Sequence, residues 1–335
     1  MPSFTDLADL AAERVGGRAL AANDEFFAPK EGLLKPGRGE FIPGKYTSRG
    51  KWMDGWETRR RRTPGHDWCI VRLGMPGVVR GLDVDTNHFI GNFPEAYSLE
   101  ACRHSGTVSK AALLGPKTEW VELLPRSILK GGSQNLFPIG HPGAFTHVRL
   151  NIHPDGGVAR LRVYGEIGAD WATLARSKRT FDLAAIQNGG LVLGASDMHF
   201  GSKDNLIMPG RSKSMGDGWE TRRRRGPGHD WLVLRLGGPG SIHRIEIDTN
   251  HFKGNYPDSA SLEGCVSKET RLEVLASEVP GWQAILPQTK LRPHRRQFWN
   301  RELQSRGPFT HVRFRIFPDG GVSRLRIHGR AFAAA

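Results

Sequence analysis

Two segments concentrate side chains that can do chemistry. Residues 54–62, Asp-Gly-Trp-Glu-Thr-Arg-Arg-Arg-Arg, put two acids, an indole and four guanidinium groups into nine positions. A guanidinium can grip a carboxylate through two parallel hydrogen bonds. In a strand Arg59 and Arg61 would face one way and Arg60 and Arg62 the other, so half of the run can line one pocket. The competing reading is a solvated basic edge. Residues 85–94, Asp-Thr-Asn-His-Phe-Ile-Gly-Asn-Phe-Pro, set Asp85 and His88 where a strand-like run gives way to a loop. Asp with His can be a base and its orienting carboxylate, or two metal ligands. The same residues also suit an Asx turn carrying a structural histidine.

Both segments occur twice. Residues 217–225 repeat 54–62 at nine positions of nine, and residues 248–252 repeat Asp-Thr-Asn-His-Phe. The Gly-His-Asp-Trp, Gly-Asn-aromatic-Pro and Ser-Leu-Glu-x-Cys segments recur at the same offset, 163. Glu57, Arg59, Arg61, Asp85 and His88 therefore have counterparts in Glu220, Arg222, Arg224, Asp248 and His251. Duplicated halves drift at free surface positions, so identity kept between them implies a shared geometric or functional constraint. Further on the offset is 164: residues 145–165 and 309–329 agree at 15 of 21 positions. Upstream it is 173, so the first copy carries ten extra residues between Gly37 and Asp54. Solenoid repeats run about 20–50 residues, so each copy here is a whole domain. The expected domains are 1–173 and 174–335.

The elements that must position these groups read as β-strands. Along residues 145–152, Thr146, Val148, Leu150 and Ile152 share one face and Phe145, His147, Arg149 and Asn151 the other. Such period-2 alternation marks strands with one buried face. Residues 69–73, 78–84 and 160–163 add further runs, and Pro-Asp-Gly-Gly at 154–157 and 318–321 reads as a hairpin turn. Residues 5–14 are the best helix candidate. With 42 Gly and 21 Pro, the chain favours many short strands. The expected fold is all-β: a tandem pair of duplicated jelly-roll β-sandwich domains. Trp56, Trp68, Trp219 and Trp231 are expected as core anchors, Glu100 and Glu263 as buried partners for arginine, and Cys102 and Cys265 as inert thiols.

Composition bounds the function. The 335 residues carry a net charge of +14. Nucleic acid is the default partner of such a balance, and a small carboxylate ligand the other. The acids at 54, 57, 217 and 220 beside the Arg runs favour the small carboxylate, so no nucleic-acid partner is expected. No apolar run approaches the ~18 residues of a membrane span, so no membrane partner is expected. Residues 1–17 lack a basic stretch followed by an apolar core, and no targeting segment is expected. Three cysteines without a Cys-x-x-Cys spacing fit a reducing, cytoplasmic setting. No Gly-x-Ser-x-Gly elbow, phosphate-binding loop, dinucleotide fingerprint or His-Glu-x-x-His motif is present.

Taken together, the duplicated set from Asp-Gly-Trp-Glu-Thr-Arg-Arg-Arg-Arg to Ser-Leu-Glu-x-Cys resembles the allantoicase (allantoate amidinohydrolase) family over roughly residues 20–330. The resemblance implies tandem jelly rolls like galactose-binding sandwiches. It also implies a hydrolase of carbon–nitrogen bonds in linear amidines, converting allantoate to ureidoglycolate and urea in allantoin and purine degradation. Allantoate is a glyoxylate carbon bearing a carboxylate and two ureido groups. Its hydrolysis needs a cation for the carboxylate, an acid for the departing urea nitrogen and a base for water. On that chemistry Arg59 or Arg61, with Arg222 or Arg224, would hold the carboxylate. His88 and His251 would be acid/base groups oriented by Asp85 and Asp248, and Glu57 and Glu220 would bind ureido N–H groups. One active half, two active halves and one composite site are all open. No cofactor is certain, and a divalent metal held by Asp, His and Glu is left open, as is a homo-oligomer. The competing class is a non-catalytic tandem module binding a sugar or small carboxylate.

Overall fold

Alternating apolar residues bury one face of a strand only if a second sheet packs against it, and each repeat solves this with one very long strand. The computed structural model describes residues 3–278 and 281–332. In the first repeat the major strands are β1 (Arg18–Ala22), β2 (Asp67–Asp85), β3 (Ala96–Cys102), β4 (Val121–Ile128), β5 (Gln134–Pro138), β6 (Ala144–His153) and β7 (Arg160–Ile167). The first part of β2 lies between β1 and β6, and β3 and β4 follow beyond β6. The last part of β2 lies between β7 and β5, with Ala8–Asp9 on the outer side of β7. All pairings are antiparallel, so β2 passes from one layer of the sandwich to the other. The crossing falls in Leu-Gly-Met-Pro-Gly at 73–77, where its register with β6 shifts. A Cβ on Gly74 would come within 2.5 Å of the Val15 carbonyl oxygen, so the bend requires glycine there. Leu82, Val84, Leu99, Leu150 and Val163 are fully buried in the core.

The second repeat copies this plan with β8 (Leu191–Ala195), β9 (Asp230–Asp248), β10 (Ser259–Cys265), β11 (Gln283–Lys290), β12 (Arg296–Trp299), β13 (Phe309–Phe317) and β14 (Arg324–Ala331). β9 plays the part of β2. The fold is thus all-β, a tandem pair of jelly-roll sandwiches. The two compact units divide between Gly168 and Ala169, which puts residues 169–173 with the second repeat.

Four local expectations differ from what is found. Residues 5–14 form no α-helix; short 3₁₀ turns at Phe4–Asp6 and Glu13–Val15 flank the two-residue strand Ala8–Asp9. Residues 154–157 are no hairpin turn, because β6 and β7 lie in different layers and do not pair. The segment crosses between them, and Gly157–Val158 pairs instead with Trp56–Glu57. The outer face of β6 is also covered: His147 and Asn151 are buried beside Val148 and Leu150. A segment carrying helix α1 (Lys110–Leu114) packs there, with Leu113 and Trp120 against Ile70 and Cys102. Trp56 and Trp219 are fully buried, but Trp68 and Trp231 are only half-buried. Glu100 and Glu263 do pair with arginines, Arg149 and Arg313, at 2.7 Å each. Burial pushes the Cys102 and Cys265 thiols up to about 11.

One buried ion pair locks the crossing segment to the chemistry-bearing one. Arg160 donates to the Asp54 carboxylate at 2.5 Å and to the carbonyls of Gly32, Asp54 and Ala159. Both side chains are nearly inaccessible, and Arg324 with Asp217 repeats the pair at 3.0 Å. Removing one partner of such a pair strands the other. Arg160→Met is expected to cost about 3–5 kcal/mol in urea unfolding. A loss below about 1 kcal/mol, the scale of a surface pair, would show that the pair does not hold this segment.

Candidate active site

Residues 54–62 are positioned one by one. Beyond the Asp54–Arg160 pair, the Trp56 indole N–H donates to the Asp24 carbonyl at 2.8 Å. The Thr58 hydroxyl accepts from the Gly156 amide at 3.1 Å. Glu57, between them, is 8% exposed. Its Oε1 accepts from Asn92 Nδ2 at 2.6 Å, and no cation pairs with it among the described residues. Burial pushes its pKa above the ordinary glutamate value, only partly offset by the Asn92 hydrogen bond.

The arginine run does line one open cleft of about 390 Å³, with Asn23, Asp24 and Asp67, but not through strand alternation. After Glu57 the chain leaves the sheet as an extended loop, so strand alternation does not apply. Arg59 pairs with Asp24 at 2.7 Å and Arg61 with Asp67 at 2.8 Å. The second repeat matches them with Arg222–Asp197 at 3.3 Å and Arg224–Asp230 at 2.6 Å. Arg61 N–H also donates to Asp155, which ties the loop to the crossing segment. These guanidinium groups answer carboxylates of their own chain. Asp24 and Asp67 keep the repeat offsets to Asp197 and Asp230, a signal that was present in the sequence.

The Asp/His expectation divides. Asp85 does not orient His88. Its buried carboxylate is held bidentately by Arg38, at 2.8 Å for both bonds, and accepts from the Asn87 amide at 2.9 Å. Asp248 likewise takes Arg211 at 3.5 Å and the Asn250 amide at 3.0 Å, and does not orient His251. The histidines themselves adopt a left-handed backbone, with φ of 68° at His88 and 71° at His251. That region is costly for a residue other than glycine or asparagine, and such strain gathers at functional sites. The turn presents the His88 ring to solvent while Phe89 beside it is fully buried.

Glu57 and His88 come together in one cleft of about 340 Å³, with Phe27, Lys51, Met53 and Asn92. That is the size of a small-ligand site. Lys51 belongs to the extra residues of the first copy, which form the small hairpin Tyr46–Thr47 and Gly50–Lys51. Phe41, from the same insertion, lies against the His88 ring at 5.6 Å between centroids and under the Lys51 ammonium at 4.4 Å. The second repeat keeps Glu220 hydrogen-bonded by Asn255 but lacks the hairpin. There His251 Nε2 donates to the Ser212 carbonyl at 3.0 Å, and its amide donates to His294 Nδ1 at 2.8 Å. Lys51 escaped the sequence reading because an insertion has no counterpart to compare with.

No group of three or more His, Cys, Asp or Glu side chains among the described residues is arranged to hold a metal ion. The cleft holds one acid, Glu57, and one histidine, His88. The cleft offers a buried carboxylate with a raised pKa, an exposed imidazole and one ammonium group. That set can deliver water, protonate a leaving nitrogen and hold a carboxylate.

The family described as "Allantoicase repeat" matches residues 8–168 and again 181–332. "Probable allantoicase 1" of Burkholderia mallei is 50% identical, over 98% of this chain and 96% of that one. "Probable allantoicase" of Ralstonia nicotianae is 49% identical over the same shares. The crystal structure of an allantoicase from Saccharomyces cerevisiae superposes with a TM-score of 0.82 at 34% identity, covering 96% of this chain and 92% of that one.

Proposed function

The chain belongs to the allantoicase family and hydrolyses allantoate to ureidoglycolate and urea, a step of allantoin and purine degradation, and we propose that the first-repeat cleft is where it does so. The observation that carries this assignment is the buried, unpaired Glu57 facing a cleft that also holds Lys51 and His88. Lys51 binds the substrate carboxylate. Glu57 in its ionised form takes a proton from water, whose oxygen bonds to the central carbon. The bond from that carbon to one ureido nitrogen breaks, and His88 gives the nitrogen the proton that makes it urea. Asn92 holds Glu57 in place. Arg59, Arg61, Arg222 and Arg224 serve the scaffold, as do Asp85 and Asp248. His251 and Glu220 are the second repeat's structural copies.

Pairing of Arg59, Arg61, Arg222 and Arg224 with the chain's own carboxylates supports a small-molecule substrate over nucleic acid. Among the described residues no helix is long and apolar enough to cross a membrane. Cys69, Cys102 and Cys265 are all buried and unpaired, which supports a reducing, cytoplasmic setting.

Lys51→Ala should raise KM about tenfold or more and change kcat less, because the carboxylate is charged in ground and transition states alike. An unchanged KM in steady-state urea release would take the anchoring role away from Lys51. The pH profile follows from Glu57. A base must be ionised, and burial raises its pKa, so activity is lost as pH falls through a value above the ordinary 4.5. The acid limb of kcat/KM should therefore lie above that value. A limb at or below the ordinary glutamate value would argue against a buried base.

A further inference from the structure

The second repeat departs from the first at one facing pair on the layer formed by β9 and β14. In the first repeat Arg80 of β2 and Glu166 of β7 form a salt bridge, Nε to Oε1 2.9 Å. The repeat offsets carry these positions to His243 and Arg330. Strand pairing is conserved, with Val78 opposite Glu166 in one copy and Ser241 opposite Arg330 in the other. Two basic groups thus stand where opposite charges met. Helix α2 (Trp171–Ser177) lies alongside and brings Arg176, followed by Lys178. Together these four line a groove of about 650 Å³ with Ala172 and Phe332 on its apolar side. Among the described residues no carboxylate lines it, and the head groups of Arg330 and Lys178 have no partner there. The His243 ring is fixed by Ser241 Oγ at 3.2 Å. Burial, with Arg330 and Arg306 adding to it, holds its pKa below the ordinary value, as in a site that resists further positive charge.

Arg330, Arg176 and Lys178 gathered in one groove are like charges whose crowding a bound anion relieves. In the first repeat the basic group at this place, Arg80, is answered by the Glu166 carboxylate, whereas the second repeat puts Arg330 at the Glu166 position and leaves its groove without that carboxylate. We propose that this groove binds a small oxyanion, a carboxylate or phosphate group, seated between Arg330 and His243 within reach of Arg176 and Lys178. Any apolar part of the ligand would lie against Phe332 and Ala172. The site belongs wholly to the second repeat and is separate from the Glu57 cleft. It assigns a role to part of the excess positive charge that hydrolysis leaves unused.

Inorganic phosphate and succinate, titrated separately into the full chain by calorimetry in a low-chloride buffer, test this. One ion should bind per chain, and Arg330→Leu should weaken it about tenfold or more, the scale of one charged hydrogen-bonding partner. Arg330→Glu, which restores the charge of Glu166, should abolish binding with the fold intact by circular dichroism. Lys51→Ala, which removes the cation of the first-repeat cleft, should keep the binding that Arg330→Glu abolishes. Binding of one ion alone assigns the source as phosphate or carboxylate, and binding of both assigns the shared oxyanion. No binding of either, or affinity unchanged in a folded Arg330 variant, overturns the proposal.

Discussion

Glu57→Gln is expected to lower kcat for allantoate hydrolysis by about 10²–10⁴-fold, the usual contribution of a positioned proton-transfer group. The amide keeps the shape of the carboxylate and can still accept from Asn92, but it cannot take a proton from water. Stability should move the other way or not at all. The folded state holds the Glu57 proton more tightly than the unfolded chain does, because burial disfavours the charge. Below the ordinary glutamate pKa the group therefore favours the fold, and that contribution is lost as pH rises through the raised value. At neutral pH glutamine removes a buried charge, so the melting temperature should not fall. Lost activity with retained stability separates a chemical role from a structural one. A variant that keeps its kcat would remove Glu57 from the reaction.

The second large effect is an inequality between the two histidines. His88→Ala should cost kcat about 10²–10⁴-fold with little change in KM, since proton transfer acts in the transition state. His251→Ala should leave kcat intact. Its ring is already spent on the Ser212 carbonyl, and no inserted hairpin closes a cleft over it. What it should lose is stability, about 0.5–1.5 kcal/mol for one hydrogen bond. Two independent active sites would instead leave each single variant with half of the parent's activity. Steady-state kinetics on both proteins, with urea unfolding alongside, distinguishes these outcomes.

The duplication and the alternating runs made the tandem sandwich legible, because offsets and period-2 patterns are properties of the chain itself. Layer assignment was not, because it depends on partners distant in sequence. Residues 69–73 and 78–84 read as two strands, yet β2 carries both and bends at Gly74. The Pro-Asp-Gly-Gly turn read as a hairpin because its flanks alternate, and only the pairing shows that they lie in different layers. At the site, Glu57 and His88 stood out as chemistry-bearing residues kept in both copies. The same test misled for Asp85 and did not show the ion pairs of Arg59 and Arg61, since a scaffold retained in both halves also keeps its ion pairs. Their partners, Asp24, Asp67 and Arg38, lie 35, 6 and 47 positions away. Lys51 shows the converse limit, because repeat comparison is blind to an insertion.

Urea release from allantoate by two double variants tests the central claim most directly, that hydrolysis occurs in the first-repeat cleft. Glu57→Gln with His88→Ala should release no urea above background. Glu220→Gln with His251→Ala, assayed at the same concentration and confirmed folded, should match the parent rate. Equal losses in the two proteins, or loss in the second alone, would contradict the assignment.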